Sequence, residues 1–203
     1  MSDTAPPPSS GRANAVGRYD VTRRLVERLR PEAAVIGGIG TTNFDLWAAG
    51  PRDRNFYMLG SMGLAVPIAL GVALAQPGTR VIALEGDGSI LMQLGALATV
   101  AQRAPRNLGV LVMDNGCYQI TGAQPTATAD RADIEAIARG CGINRCATIS
   151  GLDELDRELD EALAGDGPWL IVAKTDHSPP RAVTERDPVR IRMRFMDAMT
   201  GHV

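Results

Sequence analysis

Cysteine is scarce in this chain of 203 residues, and the three present, Cys117, Cys141 and Cys146, form neither an even framework nor a C-x-x-C pair. That argues against a disulfide scaffold and fits a reducing, cytoplasmic compartment. No apolar run approaches the roughly 20 residues needed to span a bilayer, and the N-terminus lacks the apolar centre of a signal peptide, so neither a membrane protein nor a secreted one is expected. An excess of one charge is missing too. With 21 basic and 23 acidic residues interspersed, the formal charge is −2, and no electrostatic footprint for nucleic acid results. The segment 181–194 is the one basic stretch, and it reads as a solvated helix face or a subunit contact. No internal repeat is visible.

What is there is a chain that is 45% hydrophobic and only 22% charged, enough for one well-formed core. Residues 1–18 are rich in Pro, Ser and Gly, including Pro6-Pro7-Pro8, and read as a flexible N-terminal tail that cannot bury enough surface to order itself. Residues 19–203 form the domain. Val21, Leu25, Val26 and Leu29 recur at helical spacing until Pro31 stops the helix. A short strand over 33–36 ends at Gly37-Gly38-Ile39-Gly40, a small-residue turn able to approach a ligand. A short helix over 43–48 and an extended piece over 56–59 precede a nearly all-apolar helix over 64–75, which tolerates Pro67 in its first turn. A helix apolar all round must be covered on all sides, here by its own sheet and by another subunit. Strands are expected over 80–85, 107–114, 146–149 and 169–174, and helices over 89–103, 130–140 and 189–199. The segment 121–129 reads as irregular loop. Ser150 with Asp153 reads as a capping pair opening a helix with Leu152, Leu155, Leu159 and Leu163 on one face. This alternation predicts an α/β fold, a doubly wound parallel sheet with helices on both faces.

The chemistry concentrates at two strand ends. Glu85-Gly86-Asp87-Gly88-Ser89 follows one apolar run, and Asp114-Asn115-Gly116-Cys117-Tyr118 follows the next. A strand–helix–strand crossover brings such ends together at the carboxyl edge of the sheet, so Asp87 and Asn115 should share one crevice. A carboxylate and an amide oxygen are hard ligands, suited to Mg2+ or Ca2+ rather than zinc or copper. Gly88 and Ser89 open the following helix, where unpaired backbone N–H groups favour an anion. A lone Gly-Asp-Gly is a common turn; the long pattern is what discriminates, Gly86-Asp87-Gly88 followed by residues 89–114 and then Asn115-Gly116.

That pattern resembles the cofactor signature of thiamine diphosphate enzymes, with Asp114 where the family often has Asn. Upstream, Gly60-Ser61-Met62-Gly63 resembles the family's aminopyrimidine-holding loop. Within the superfamily the strings Phe56-Tyr-Met-Leu-Gly-Ser-Met-Gly-Leu-Ala65, Leu84-Glu-Gly-Asp-Gly-Ser-Ile-Leu-Met92 and Thr121-Gly-Ala-Gln-Pro-Thr-Ala-Thr128 are similar to sulfopyruvate decarboxylase β subunits and to the matching half of phosphonopyruvate decarboxylases. The similarity covers about residues 20–176.

The resemblance implies thiamine diphosphate with Mg2+, the metal held by Asp87, Asn115 and the backbone carbonyl of Cys117. It places the diphosphate on Gly86, Gly88 and Ser89 with backbone near Ile120. The Gly60 carbonyl would receive the pyrimidine amino group, Ser61 lies beside it, and Met62 would bend the cofactor. The family's essential glutamate, which contacts the pyrimidine, belongs to another domain, so no catalytic residue is assigned in this chain. A pyrimidine-domain partner subunit is implied, along with pairing between domains of this kind. The implied reaction is decarboxylation of a small 2-oxo acid such as sulfopyruvate or phosphonopyruvate. Alternatives are a carboligase subunit of the acetolactate synthase type and a non-catalytic scaffolding subunit. A 2-oxo acid:ferredoxin oxidoreductase subunit would need iron–sulfur cysteine clusters, which are missing. Some decarboxylases of the wider family carry a glutamate where Thr121 stands. His177 reads as a weak acid–base candidate and His202 as a frayed end, and Arg52 and Arg54 are weak candidates for the substrate's anionic group.

Overall fold

The computed structural model describes residues 15–201. Six parallel strands form one sheet in the order β2-β1-β3-β4-β8-β7. They are β1 (Ala34–Gly37), β2 (Asn55–Tyr57), β3 (Val81–Gly86), β4 (Leu108–Asp114), β7 (Arg145–Ile149) and β8 (Trp169–Lys174). Alternate side chains serve two cores. Val81, Ala83, Val110, Val112, Leu170 and Val172 pack on one face, and Ile82, Leu84, Leu111, Met113 and Ile171 on the other. Burial on both sides is why these strands read as unbroken apolar runs.

Helices α3 (Ala65–Ala75), α5 (Gly95–Arg103) and α6 (Ile134–Gly140) cover the first face. The second is covered by α1 (Arg18–Arg28), α2 (Thr41–Ala48) and α7 (Leu152–Ala164). The final helix, α8 (Pro188–Thr200), packs at the β2 edge, sending Phe195 into one core and Ile191 into the other.

Several expectations need correction. The helix expected over 89–103 is broken into α4 (Asp87–Ile90), a 3-10 turn over Leu91–Gln93, and α5. The loop 121–129 is not wholly irregular. Gln124–Pro125 (β6) pairs antiparallel with Cys117–Tyr118 (β5), and Ala127–Ala129 is a 3-10 turn. Ser150 and Asp153 do not form a cap. Gly151 stands at the N-cap of α7, and the Ser150 backbone N–H donates to Glu154 at 3.1 Å. The tail boundary at residue 18 falls too late. Val16 bridges to Thr175, and Arg18 is only 2% exposed. An arginine between glycine and tyrosine gives no local sign of burial, because its partners lie far along the chain. Residues 1–14 and His202 lie outside the described residues.

Candidate active site

The register between β3 and β4 pairs Gly86 with Met113, so the chain leaves both strands with Asp87 and Asp114 side by side. Both side chains are buried, at 2% and 0% exposure. Their surroundings differ. Asp114 is opposite Lys174 in the β4–β8 register and forms an ion pair with its ammonium. Lys174 is the only lysine in the chain. Asp87 Oδ2 accepts hydrogen bonds from the hydroxyls of Thr126 at 2.5 Å and Thr128 at 2.8 Å. Thr128 also lies 2.9 Å from Asp114 Oδ1, linking the two carboxylates through one hydroxyl. Burial pushes the Asp87 carboxyl above its ordinary value. The Thr126 hydroxyl opposes the rise, and the charge on Asp114 adds to it.

The turn after β4 is ordered by its own side chains. Asn115 Oδ1 accepts from the Cys117 N–H at 3.0 Å, an Asx-type turn, and Gly116 takes a positive φ of 74°. His177 Nε2 lies 2.7 Å from the Asn115 carbonyl, which can only accept, so that nitrogen carries the proton. Gln119 Nε2 donates to the His177 carbonyl at 2.7 Å, while its Oε1 accepts from Asn115 at 3.1 Å and from Arg18 at 2.8 Å. Arg18 is further held by Asp45 at 2.5 Å and by the Ser178 carbonyl at 2.9 Å. Sequence reasoning leaves Cys117 without a nearby histidine, yet the fold brings His177 Nε2 to 3.7 Å from its thiol. This contact does not prepare a thiolate. The histidine proton is directed at a carbonyl, and burial, followed by the Asp87 charge, pushes the Cys117 thiol up.

A third group of contacts ties the loop before α3 to the turn after β3. Glu85 is 1% exposed and accepts from the N–H groups of Ala65 at 3.3 Å and Gly86 at 3.1 Å. Ser89 Oγ accepts from the Gly63 N–H at 2.7 Å. Burial pushes the Glu85 carboxyl up, opposed by Ser89 and by the two backbone donors. Gly63 has φ = 86°, a conformation that excludes most side chains.

One cleft gathers most of the expected residues: Met62, Gly86, Asp87, Gly88, Ser89, Asn115, Cys117 and Ile120 all line it. A side chain at Gly88 would collide with the Tyr118 ring and the Thr126 methyl, so the packing of these two side chains on the turn requires glycine there. Gly60 and Ser61 lie outside the lining, exposed on the preceding loop, with Ser61 at φ = 63°. The Ser89 hydroxyl is engaged by the Gly63 N–H. Arg52 and Arg54 precede β2 and so lie at the opposite edge of the parallel sheet. Arg52 is tied to the carbonyls of Arg30, Pro31 and Ala33, and Arg54 to that of Glu32, which removes both as receptors for an anion in the cleft. Sequence reasoning also misses Thr126, Thr128, Lys174, Arg18 and Glu85. The three threonines of 121–128 are a signal for the first two, and the single lysine for the third.

Three comparisons follow the same residues. Residues 38–173 match the family model described as thiamine pyrophosphate enzyme, C-terminal TPP binding domain. The chain is 39% identical over 183 residues to sulfopyruvate decarboxylase subunit beta of Methanocaldococcus jannaschii, covering 90% of this chain and 96% of that one. It is 45% identical over 154 residues to phosphonopyruvate decarboxylase of Streptomyces hygroscopicus, covering 76% of this chain but 38% of that protein. Among solved structures, an enzyme described as thiamin diphosphate-dependent from Mycobacterium smegmatis superimposes with a TM-score of 0.69 at 30% identity, covering 86% of this chain and 36% of that one.

Proposed function

Since the chain belongs to the thiamine pyrophosphate enzymes, through their C-terminal TPP-binding domain, we propose that it is the cofactor-binding subunit of a decarboxylase acting on a small 2-oxo acid such as sulfopyruvate or phosphonopyruvate. The observation that carries this reading is the meeting of Asp87 and Asn115 in one cleft at the carboxyl ends of neighbouring strands. When bound, thiamine diphosphate supplies the electron sink that lets a 2-oxo acid lose carbon dioxide.

The residues present fit that group. Among the described residues no three His, Cys, Asp or Glu side chains gather into a metal cage. A set of one carboxylate, one amide oxygen and the Cys117 carbonyl leaves room for phosphate and water, as Mg2+ prefers. Asp87 is a buried carboxylate whose hydrogen bonds come from hydroxyls and backbone, so a divalent cation would offset its burial. Gly88 lines the cleft at the start of the turn, and Met62 provides an apolar surface in it.

The pyrimidine side of the site would come from a second subunit. A relative of the same length is named a beta subunit, and in the longer phosphonopyruvate decarboxylase the matching stretch is only part of a single chain. The apolar helix α3 leaves Gly71, Leu74 and Ala75 exposed, and this face suits a neighbouring subunit. No helix among the described residues is long and apolar enough to cross a membrane, and the three cysteines are unpaired, in keeping with a cytoplasmic enzyme.

The test is to co-express the chain with its pyrimidine-domain partner and to supply sulfopyruvate, phosphonopyruvate and pyruvate with thiamine diphosphate and Mg2+. Release of carbon dioxide and an aldehyde from an anionic three-carbon acid is expected. A carbon–carbon condensation product with an added aldehyde would make the complex a carboligase instead. Cofactor binding without turnover of any 2-oxo acid would leave a scaffolding subunit.

A further inference from the structure

The contacts of Glu85 point to a role outside both the metal set and the diphosphate set. Its carboxylate sits in the core at 1% exposure, one residue before the Gly-Asp-Gly turn, and every partner named for it is a hydrogen-bond donor. One oxygen accepts from Gly86 N–H at 3.1 Å, the first residue of that turn. The other accepts from Ala65 N–H at 3.3 Å, the first residue of α3. At the far end of the turn, Ser89 Oγ accepts from Gly63 N–H at 2.7 Å. These bonds fasten both ends of the turn 86–89 to positions 63 and 65, which follow Gly60 and Met62 directly. Gly38, from the end of β1, packs so closely on Glu85 Oε1 that any side chain there would displace it.

We propose that Glu85 is a positioning residue that, through the backbone of Gly86 and Ala65 and alongside the Ser89–Gly63 bond, holds the loop of Gly60 and Met62 at a fixed distance from the metal-binding turn. The inference rests on the thiamine diphosphate reading of the site. Its consequence is a division of labour. The cofactor spans the two segments, with its diphosphate at 86–89 and its pyrimidine at 60–62, so it binds well only if the spacing between them is preset. A ligand that occupies the diphosphate end alone is indifferent to that spacing. Glutamine at position 85 keeps the size of the side chain but turns one acceptor into a donor, which then faces a backbone N–H. An unmade bond to a buried donor at this point costs on the order of tenfold in a constant that depends on it.

The experiment is calorimetry on the full chain assembled with its partner subunit, titrated with thiamine diphosphate and separately with inorganic pyrophosphate, each with Mg2+. For Glu85→Gln, affinity for thiamine diphosphate should fall about tenfold more than affinity for pyrophosphate. Ser89→Ala, which removes the acceptor of the Gly63 N–H but keeps the backbone, should shift the same ratio in the same direction, and it serves should Glu85→Gln fail to fold. Equal losses for both ligands, or no loss for either, would overturn the positioning role while leaving the cofactor reading intact. Failure of the unaltered complex to bind thiamine diphosphate would overturn both.

Discussion

Asp87 and Asp114 stand side by side at the ends of β3 and β4, equally withdrawn from solvent, and they are treated in opposite ways. Asp114 has Lys174 from the neighbouring strand, so its charge is compensated within the chain. Asp87 receives two threonine hydroxyls, and its neighbouring charge is the like charge of Asp114. Burial of a carboxylate without a cation is costly, and natural proteins retain such arrangements chiefly where a ligand compensates them. The pair therefore separates a structural carboxylate from a functional one by environment, although both sit in equally conspicuous strand-end motifs. It also gives a physical reading of the aspartate at 114, where the family often has asparagine. A carboxylate is acceptable there because this chain places its one lysine opposite it.

The comparison is broken most severely by removing the compensation. Lys174→Met removes the ammonium paired with the buried Asp114, and chemical denaturation should show a loss of about 3 kcal/mol. The double variant Lys174→Met with Asp114→Asn should recover most of it. If the single variant is as stable as the unaltered chain, Asp114 does not depend on Lys174.

Next comes the hydroxyl pair. Thr126→Val and Thr128→Val remove the donors that orient Asp87, and each should weaken Mg2+-dependent binding of pyrophosphate by about tenfold, as outer-shell changes do at metal sites. Calorimetry on the assembled complex reads this directly. A change under twofold for both would show that the threonines fill space without orienting the carboxylate.

A smaller effect of opposite sign is expected from Asp87→Asn without metal. The Asp87 carboxyl is raised above the ordinary value of 3.8 by burial. Its protonated form is thus favoured by folding, and the associated stability is present below that value and lost as pH rises through the folded-state pKa. At neutral pH the metal-free variant should be more stable by about 1 kcal/mol, raising Tm by about 2–4 °C, and the gain should vanish at acid pH. A Tm difference that does not change with pH would show that the charge is not its source.

The smallest effect belongs to the far edge of the sheet. Arg54→Ala should leave KM for any 2-oxo acid within about twofold, because the side chain is bound to the Glu32 carbonyl below β2. A large rise in KM would return this arginine to the substrate.

Much of this arrangement is legible in the sequence. Buried parallel strands announce themselves as short β-branched runs, which is why β8 falls on Trp169–Lys174 as expected and β4 differs by one residue. The metal motif is legible because glycine, aspartate and asparagine stand at fixed strand ends. What escapes is set by long-range register. Thr126 and Thr128 reach Asp87 across about forty residues, Lys174 reaches Asp114 across sixty, and Arg18 reaches Gln119 across about a hundred. No local spacing encodes such pairs. The break after Ile90 escapes for a different reason, since Leu91, Met92 and Gln93 are all good helix formers and only the packing of the turn interrupts them. Arg52 and Arg54 mislead because closeness in sequence to the loop of Gly60 and Met62 hides the length of β2, which carries the chain from one edge of the sheet to the other.

The central claim is that Asp87 is the carboxylate kept for a cation that holds the cofactor. Titrating the assembled complex with thiamine diphosphate, with and without Mg2+, for the unaltered chain and for Asp87→Ala, tests it most directly. Binding that requires Mg2+ and that falls on the order of 100-fold in the variant is the expected result. Binding that ignores Mg2+, or that survives Asp87→Ala unchanged, would contradict it.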